Sequence, residues 1–363
     1  MHINYFTKFL FVGLLFIGGL LPAQEVEHHI DVPKADQNDS LEEEIEADID
    51  HHIKDSHSFT LLSDSETGKH YGFPLPVILW DEGLHVFSSS KFHHGETVAE
   101  INGKYYKLYH SKIYRTDASG TLNYDEEHHA TNVKPIDFSI TKNVFMMFVT
   151  GLLMFLLFAG LAKSFGKGPI AKGVGRFFEP IVLYIRDDIA KPNIGPKYRK
   201  FMPYLLTVFF FIWFLNLFGL TPLGVNVTGN ISVTLALALI TFIITQFSGN
   251  KNYWKHIFWM PGVPVPMKFI LAPIELLGVF IKPFALMIRL YANIMAGHVV
   301  LMSIIALVFF VQNWIGGGLS LFLAFFLSII ELLVAALQAY IFTLLSALYF
   351  GFAVEEHDHE EAH

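Results

Sequence analysis

Between Val144 and Ala162 the chain reads VFMMFVTGLLMFLLFAGLA, with no ionisable side chain anywhere in the run. A helix needs about 20 such residues to cross a hydrocarbon layer of about 30 Å. Backbone polar groups in that layer must be satisfied within the segment itself, so a stretch of this kind can hardly be anything but a spanning helix. Comparable apolar blocks follow at 201–224, 231–247, 267–311 and 317–352. The last two, about 45 and 36 residues, would measure roughly 67 and 54 Å as unbroken helices, so they must tilt, bend or project. With 53% hydrophobic residues, 36 Phe and a mean hydropathy of +0.44, an ordinary soluble domain is excluded. The expected fold class is an all-α polytopic membrane protein with about five crossings. A membrane-surface helix and a small β-rich extramembrane region accompany them.

The first part of the chain differs. Residues 1–23 carry Lys8, an apolar run from Phe9 to Leu21 and Ala23, a pattern expected of an export signal because the run is too short to span. Residues 24–142 hold 23 Asp/Glu against 10 Lys/Arg, whereas 143–363 hold 10 against 14. Within the acidic part, 24–58 is His-rich and poor in aromatics, and is expected to form a disordered or loosely helical arm. Residues 59–130 alternate apolar and polar residues between turns such as "ING" and "ASG", which predicts a small antiparallel β module.

Charge placement predicts orientation. Residues 163–200 carry nine Lys/Arg and three acids, which the positive-inside rule places in the cytoplasm. The β module is then external, and the acidic tail 353–363 ends inside. "GVGRFFEPIVLYIRDDI" mixes apolar and charged residues at helical spacing and reads as a surface helix. "NVTGN", uncharged, reads as an external turn. Without cysteine there is no disulfide framework, thiolate metal site or cysteine nucleophile.

Polar residues inside the last two blocks carry the functional information. Glu275, Lys282, Arg289 and Asn293 are separated by 7, 7 and 4 residues. At about 100° per residue they fall within roughly 40° of one another, forming a stripe about 27 Å long. His298 lies about 180° from Arg289 on that wheel and must face another neighbour. Glu331 and Gln338 are seven apart and share a face of the last helix. Ionisable groups in membrane are costly and mark ion pathways.

These residues resemble the a subunit of the F-type ATP synthase membrane sector, over about 140–352. "PYLLTVFFFIWFLNLFGLTP" is similar to the family's Pro…Asn-Leu-x-Gly-Leu-x-Pro helix through Pro203, Asn216, Leu217, Gly219, Leu220 and Pro222. "ELLGVFIKPFALMIRLYANIMAGH" and "ELLVAALQAYIFTLLS" are similar to its two later signatures. The resemblance implies that Arg289 is the essential cation facing a carboxylate of a rotating c-subunit ring. It implies partner roles for Asn293, Glu275 and Gln338. Many members carry Glu and His at the positions of His298 and Glu331; the swapped order here predicts that these two side chains meet. It also implies further partners: b subunits of the peripheral stalk, the rest of the synthase, protons and the lipid bilayer of a bacterial inner membrane.

The expected function is proton conduction through two offset half-channels separated by Arg289, coupled to ATP synthesis elsewhere. Glu275, His298 and Glu331, which titrate, are expected in the external half-channel, with Asn216, Asn293 and Gln338 as hydrogen-bonding groups. No phosphate-binding loop is present, so no nucleotide chemistry is expected on this chain, nor any cofactor, resident metal or nucleic acid. A rival reading, a proton- or metal-coupled transporter with a metal-collecting external domain, rests on 18 His, 12 of them between 24 and 142. Adjacent His pairs impose no ligand geometry, however.

Overall fold

The computed structural model describes residues 55–64, 69–95, 97–125, 129–165, 173, 175–221, 225–310 and 314–355. The expected leader over 1–23, the arm as far as residue 54 and the tail beyond 355 lie outside the described residues.

The extramembrane module is built from antiparallel strands. β1 (Ser58–Asp64) pairs with β2 (Lys69–Pro74). β3 (Pro76–Trp80) lies between β4 (Leu84–Ser88) and β8 (Ile136–Asp137). β5 (Ala99–Ile101), β6 (Lys104–Tyr109) and β7 (Lys112–Thr116) form a third sheet. The β5–β6 turn is Asn102-Gly103, both with positive φ (54° and 79°), the two-residue connection whose twist matches paired strands. Val77, Leu79, Phe87, Phe92, Tyr106 and Ile113 form the core.

A nearly buried carboxylate fastens the sheets. Tyr106 Oη donates to Asp81 Oδ2 at 2.9 Å, while Lys104 Nζ and Arg115 Nη1 each lie 3.4 Å from Oδ1. Burial alone would raise the Asp81 carboxyl. The Tyr106 hydrogen bond and the two cations outweigh it and hold the group below its ordinary range.

The module is larger than its alternation suggests. Asp55–Ser58, expected in the arm, are built into the fold: His57 is buried and its Nε2 lies 2.9 Å from Asp137 Oδ2. β8 likewise lies beyond the expected end at residue 130. The same segment grips the first membrane helix, α1 (Lys142–Phe165), where Lys142 N donates to Ser56 O (2.8 Å) and Asn143 N to Asp55 Oδ1 (3.1 Å). A carboxylate at a helix N-terminus satisfies an orphan donor and opposes the helix dipole. The rings of Phe59 and Phe73, stacked at 5.0 Å, both pack edge-on against Phe145 of α1.

Beyond α1 come α2 (Gly175–Tyr184), α3 (Tyr198–Gly219), α4 (Ile231–Ser248), α5 (Lys251–Phe258), α6 (Val265–Phe310) and α7 (Trp314–Val354). The expected surface helix is α2. It does not stand alone: a π-helical turn at Ile185–Ala190 and short helical turns lead from it into α3, burying Ile185, Ile189 and Ala190. Among the described residues, five helical segments are long and apolar enough to cross a membrane.

α3 is the centre of the bundle. Its Leu205, Phe210, Ile212 and Leu215 are fully buried. Phe210 meets Phe158 of α1 edge-on at 5.0 Å, and Phe201 stacks on Phe350 of α7 at 4.7 Å. Asn250, ahead of α5, donates from N and Nδ2 to Ala353 O and Val354 O, tying the start of α5 to the end of α7. α6 and α7 are antiparallel neighbours on the flank. Only 17% and 22% of their most apolar stretches are buried, against 61% for that of the helical run that ends in α3, so one face of each is left open.

Asp81→Asn is expected to destabilise the β module by about 1–3 kcal/mol, because Lys104, Arg115 and Tyr106 lose a charged acceptor. The carboxyl is depressed in the folded state, so the stabilisation is complete above the ordinary aspartate pKa of about 4 and fades as pH falls below it. Urea-dependent protease resistance of the detergent-solubilised full chain, compared between the two proteins at pH 7 and pH 3, measures both effects.

A polar cluster at the α3–α6–α7 junction

α6 divides into two faces. Val279, Leu286, Met287, Leu290 and Ile294 are buried at the spacing of a packed helix seam. Ile281, Phe284 and Ile288 are exposed on the other side. Arg289 and Asn293 lie on the exposed side with them, so a permanent cation sits in an open apolar surface. Among the described residues no carboxylate forms an ion pair with Arg289.

Lys282, one stripe position earlier, is also exposed at the residue level. Its Nζ lies 5.7 Å from the ring centre of Tyr349 and 5.6 Å from that of Phe352. Two aromatic faces thus hold the ammonium against α7, an arrangement that stabilises a cation where water is scarce.

Nine residues beyond Arg289, His298 faces inward as its position on the wheel requires. Its Nδ1 lies 3.9 Å from Glu331 Oε1 of α7, with both side chains about nine-tenths covered. The expected meeting of this pair is therefore what the structure shows. Neither Glu331 oxygen has a hydrogen-bond partner among the described residues. Two glycines make room. A Cβ on Gly297 would stand 3.0 Å from Glu331 Oε1, and one on Gly219 would stand 3.3 Å from His298 Nε2.

Asn216 of α3 joins this cluster from the opposite side. Its Nδ2 donates to Ala335 O of α7 (3.3 Å), and its Oδ1 accepts from Thr228 Oγ1 (2.6 Å). Gln338, one turn beyond Ala335, is buried on the same helix. Here the structure corrects the reading of "NVTGN" as a simple external turn. Asn226 and Thr228 are buried: Gly229 N donates to Asn226 Oδ1, and Asn226 Nδ2 points to Met295 Sδ of α6. Sequence reasoning missed both residues. Their signal was a run of amide and hydroxyl side chains directly before Asn230, which caps α4 through Ser232 N.

A second correction concerns Glu275. α6 is continuous through Pro273 and Pro283, so Glu275 and His298 are separated by about 34 Å of helix axis with Arg289 between them. The two groups therefore do not adjoin. Glu275, half-buried, belongs with Lys282 at the end of the bundle that holds α5 and the last turn of α7. His298, Glu331 and Asn216 form the cluster on the other side of Arg289.

Comparison with known proteins bears on the family of the chain. A family model described as ATP synthase A chain matches residues 144–351, and a domain of unknown function matches 48–138. The chain is 45% identical over 240 residues to "ATP synthase subunit a 2" of Chlorobaculum tepidum, covering 64% of this chain and 68% of that protein. It is 44% identical over 236 residues to "ATP synthase subunit a" of Chloroherpeton thalassium, covering 62% and 70%.

Asn216→Ala is expected to cost about 1–3 kcal/mol, because it strands the Thr228 hydroxyl in a dry interior and removes the bond to the Ala335 carbonyl. The thermal unfolding midpoint of the detergent-solubilised chain should fall, and Thr228→Ala in the same background should add little, since the two share one bond.

Proposed function

This chain belongs to the ATP synthase A chain family, and on that premise we propose that it is the proton-conducting stator subunit of an F-type synthase. The observation that carries the proposal is Arg289, a permanent cation without a carboxylate partner among the described residues, placed in an open apolar face. Such a charge is expensive in hydrocarbon unless a passing anion meets it. A carboxylate carried on a rotating ring of c subunits is an anion of the required kind. In lipid it is held neutral by desolvation; beside Arg289 its ionised form is favoured and the proton leaves.

Arginine suits this place because its guanidinium does not deprotonate, so it attracts the carboxylate without passing protons itself. A lysine can lose its proton when desolvated. Arg289 therefore keeps two half-channels apart while letting the ring move between them.

One half-channel would use His298 and Glu331, a titratable pair in contact, with Asn216, Thr228 and Asn226 to hold water or pass hydrogen bonds. We place it on the external side, following the excess of Lys/Arg in 163–200. The other would run past Glu275 and Lys282 to the cytoplasmic end, and each proton must then ride the ring from one to the other. The membrane potential supplies about 2.3 kcal/mol per charge per 100 mV to bias that motion. Asn293 and Gln338 complete the polar lining at the Arg289 level. In this reading the b subunits brace the chain, and the catalytic head makes ATP away from it.

Arg289→Ala and Arg289→Lys are both expected to abolish proton-driven ATP synthesis in inverted membrane vesicles while the complex still assembles; coupled synthesis in either would overturn the mechanism. Glu331→Gln and His298→Ala are expected to slow ATP-driven proton pumping, on the order of 10²-fold, without uncoupling it. Acid-quench fluorescence measures this, and an unchanged rate would remove that residue from the path.

A further inference from the structure

The connection between α4 and α6 carries chemistry that the proton path does not use. Its helix, α5, has one inward side: the Tyr253 hydroxyl donates to Gln246 Oε1 of α4 at 3.3 Å, and Ile257 is buried. At about 100° per residue, Trp254, Phe258, Lys251 and Lys255 fall together in an outward sector about 100° wide. Members of each like pair are four apart, so the sector holds two adjacent rows, one aromatic and one basic. Trp254 stacks on Phe258 with ring centres 6.1 Å apart. Trp259 follows directly, and Lys268 Nζ, from the first turn of α6, lies 4.7 Å from its ring centre.

Both rows are open. Trp254, Phe258 and Trp259 are 38%, 53% and 46% exposed, and Phe269 beside them is 70% exposed. Lys251 and Lys255 are exposed as well. Among the described residues no carboxylate pairs with Lys251, Lys255 or Lys268. The neighbouring sequence supplies none, because residues 189–274 contain neither Asp nor Glu. Two like charges four apart on a helix repel each other, so the basic row lacks an anion.

We infer that α5 and the turn into α6 form a binding site for an anionic phospholipid of the leaflet bordering that end of the bundle. Lys251, Lys255 and Lys268 hold the phosphate, and Trp254, Phe258 and Trp259 lie along the upper acyl chains. Position, shape and charge select this occupant. Asn250 ties the start of α5 to the last carbonyls of α7, and the apolar span of α6 begins at Val265, so the aromatic row lies where spanning helices leave the membrane. Indole rings favour that level. A short helix with an aromatic row beside a lysine row has the two-sided character of a helix lying in the interface. Lysines are mobile point charges suited to a phosphate, and anionic lipid attracts basic segments at the surface. A neutral lipid would satisfy the rings and leave the three ammonium groups uncompensated.

The site adjoins the inner end of α6 without using a residue assigned to conduction. Tyr253 and Lys282 line one small cavity, so a lipid held on the outer side of α5 braces the wall behind Lys282. The nearest acid in the chain is Glu355, one residue beyond α7, which is exposed and pairs with none of the three lysines.

The test uses the intact complex in phosphatidylcholine vesicles doped with a phosphatidylglycerol that carries a diazirine on its acyl chain, or with phosphatidylcholine carrying the same diazirine. After illumination, lipid-modified peptides of this subunit are quantified by mass spectrometry. Labelling of residues 251–270 by the phosphatidylglycerol probe is expected to exceed that by the phosphatidylcholine probe several-fold. Combined Lys251→Gln, Lys255→Gln and Lys268→Gln should bring the two probes level, while Lys→Arg at the same three positions should preserve the difference. Equal labelling by the two probes in the unaltered complex overturns the proposal, since it would show bilayer contact without headgroup recognition. Carbodiimide coupling of these lysines to carboxylates of residues 355–363, or of another subunit, in the same vesicles overturns it too.

Discussion

Polar atoms withdrawn from water must find one another, and Asn216 is where this requirement has its widest effect. Its single side chain ties α3, the loop before α4 and α7 together, through Thr228 on one side and the Ala335 carbonyl on the other. Left unpaired, the Thr228 hydroxyl alone would cost about as much as a whole hydrogen bond contributes. The bond therefore fixes the distance between the central helix and the last one. Gly219 and Gly297 sit at the same junction, where any Cβ would intrude on His298 or Glu331. Hydrogen bonding sets the spacing, small residues permit it, and the acid–imidazole pair occupies the space that results.

The other organising feature is asymmetry. α6 and α7 each bury a narrow seam and leave an apolar face open, while α3 is enclosed by its neighbours. The titratable pair is on the covered side, held at contact distance, and Arg289 is on the uncovered side. A titratable pair thus lies within the protein, and a permanent cation faces outward. The proposed division of roles between them rests on that separation.

Much of this architecture was legible. The five spans follow from apolar runs, because the bilayer leaves helices few alternatives. The paired face of Glu331 and the opposed faces of Arg289 and His298 follow from 3.6 residues per turn. Other features were hidden for identifiable reasons. His57 and Asp137 are 80 residues apart in the chain, and β8 is two residues long, so neither alternation nor turn signals mark the end of the β module. Asn226 and Thr228 have the composition of a solvated turn, and only their hydrogen bonds reveal a buried one. Glu275 was grouped with His298 by chemistry, whereas helix continuity through two prolines separates them by about 34 Å.

By itself the sequence determined the membrane class, the five candidate spans, the place of a permanent cation within an apolar helix and the family to which the chain belongs. These depend on local hydrophobicity and helical period, which neighbouring residues carry among themselves. Only the tertiary structure decided that His298 and Glu331 touch, that Asn216 is bonded to both a loop and α7, and that Arg289 lies on an uncovered face. Those facts depend on how separate helices are rotated and spaced. Rotation and spacing are set by side chains far apart in sequence meeting in a dry interior, where glycine permits closeness and unpaired polar atoms forbid the alternatives.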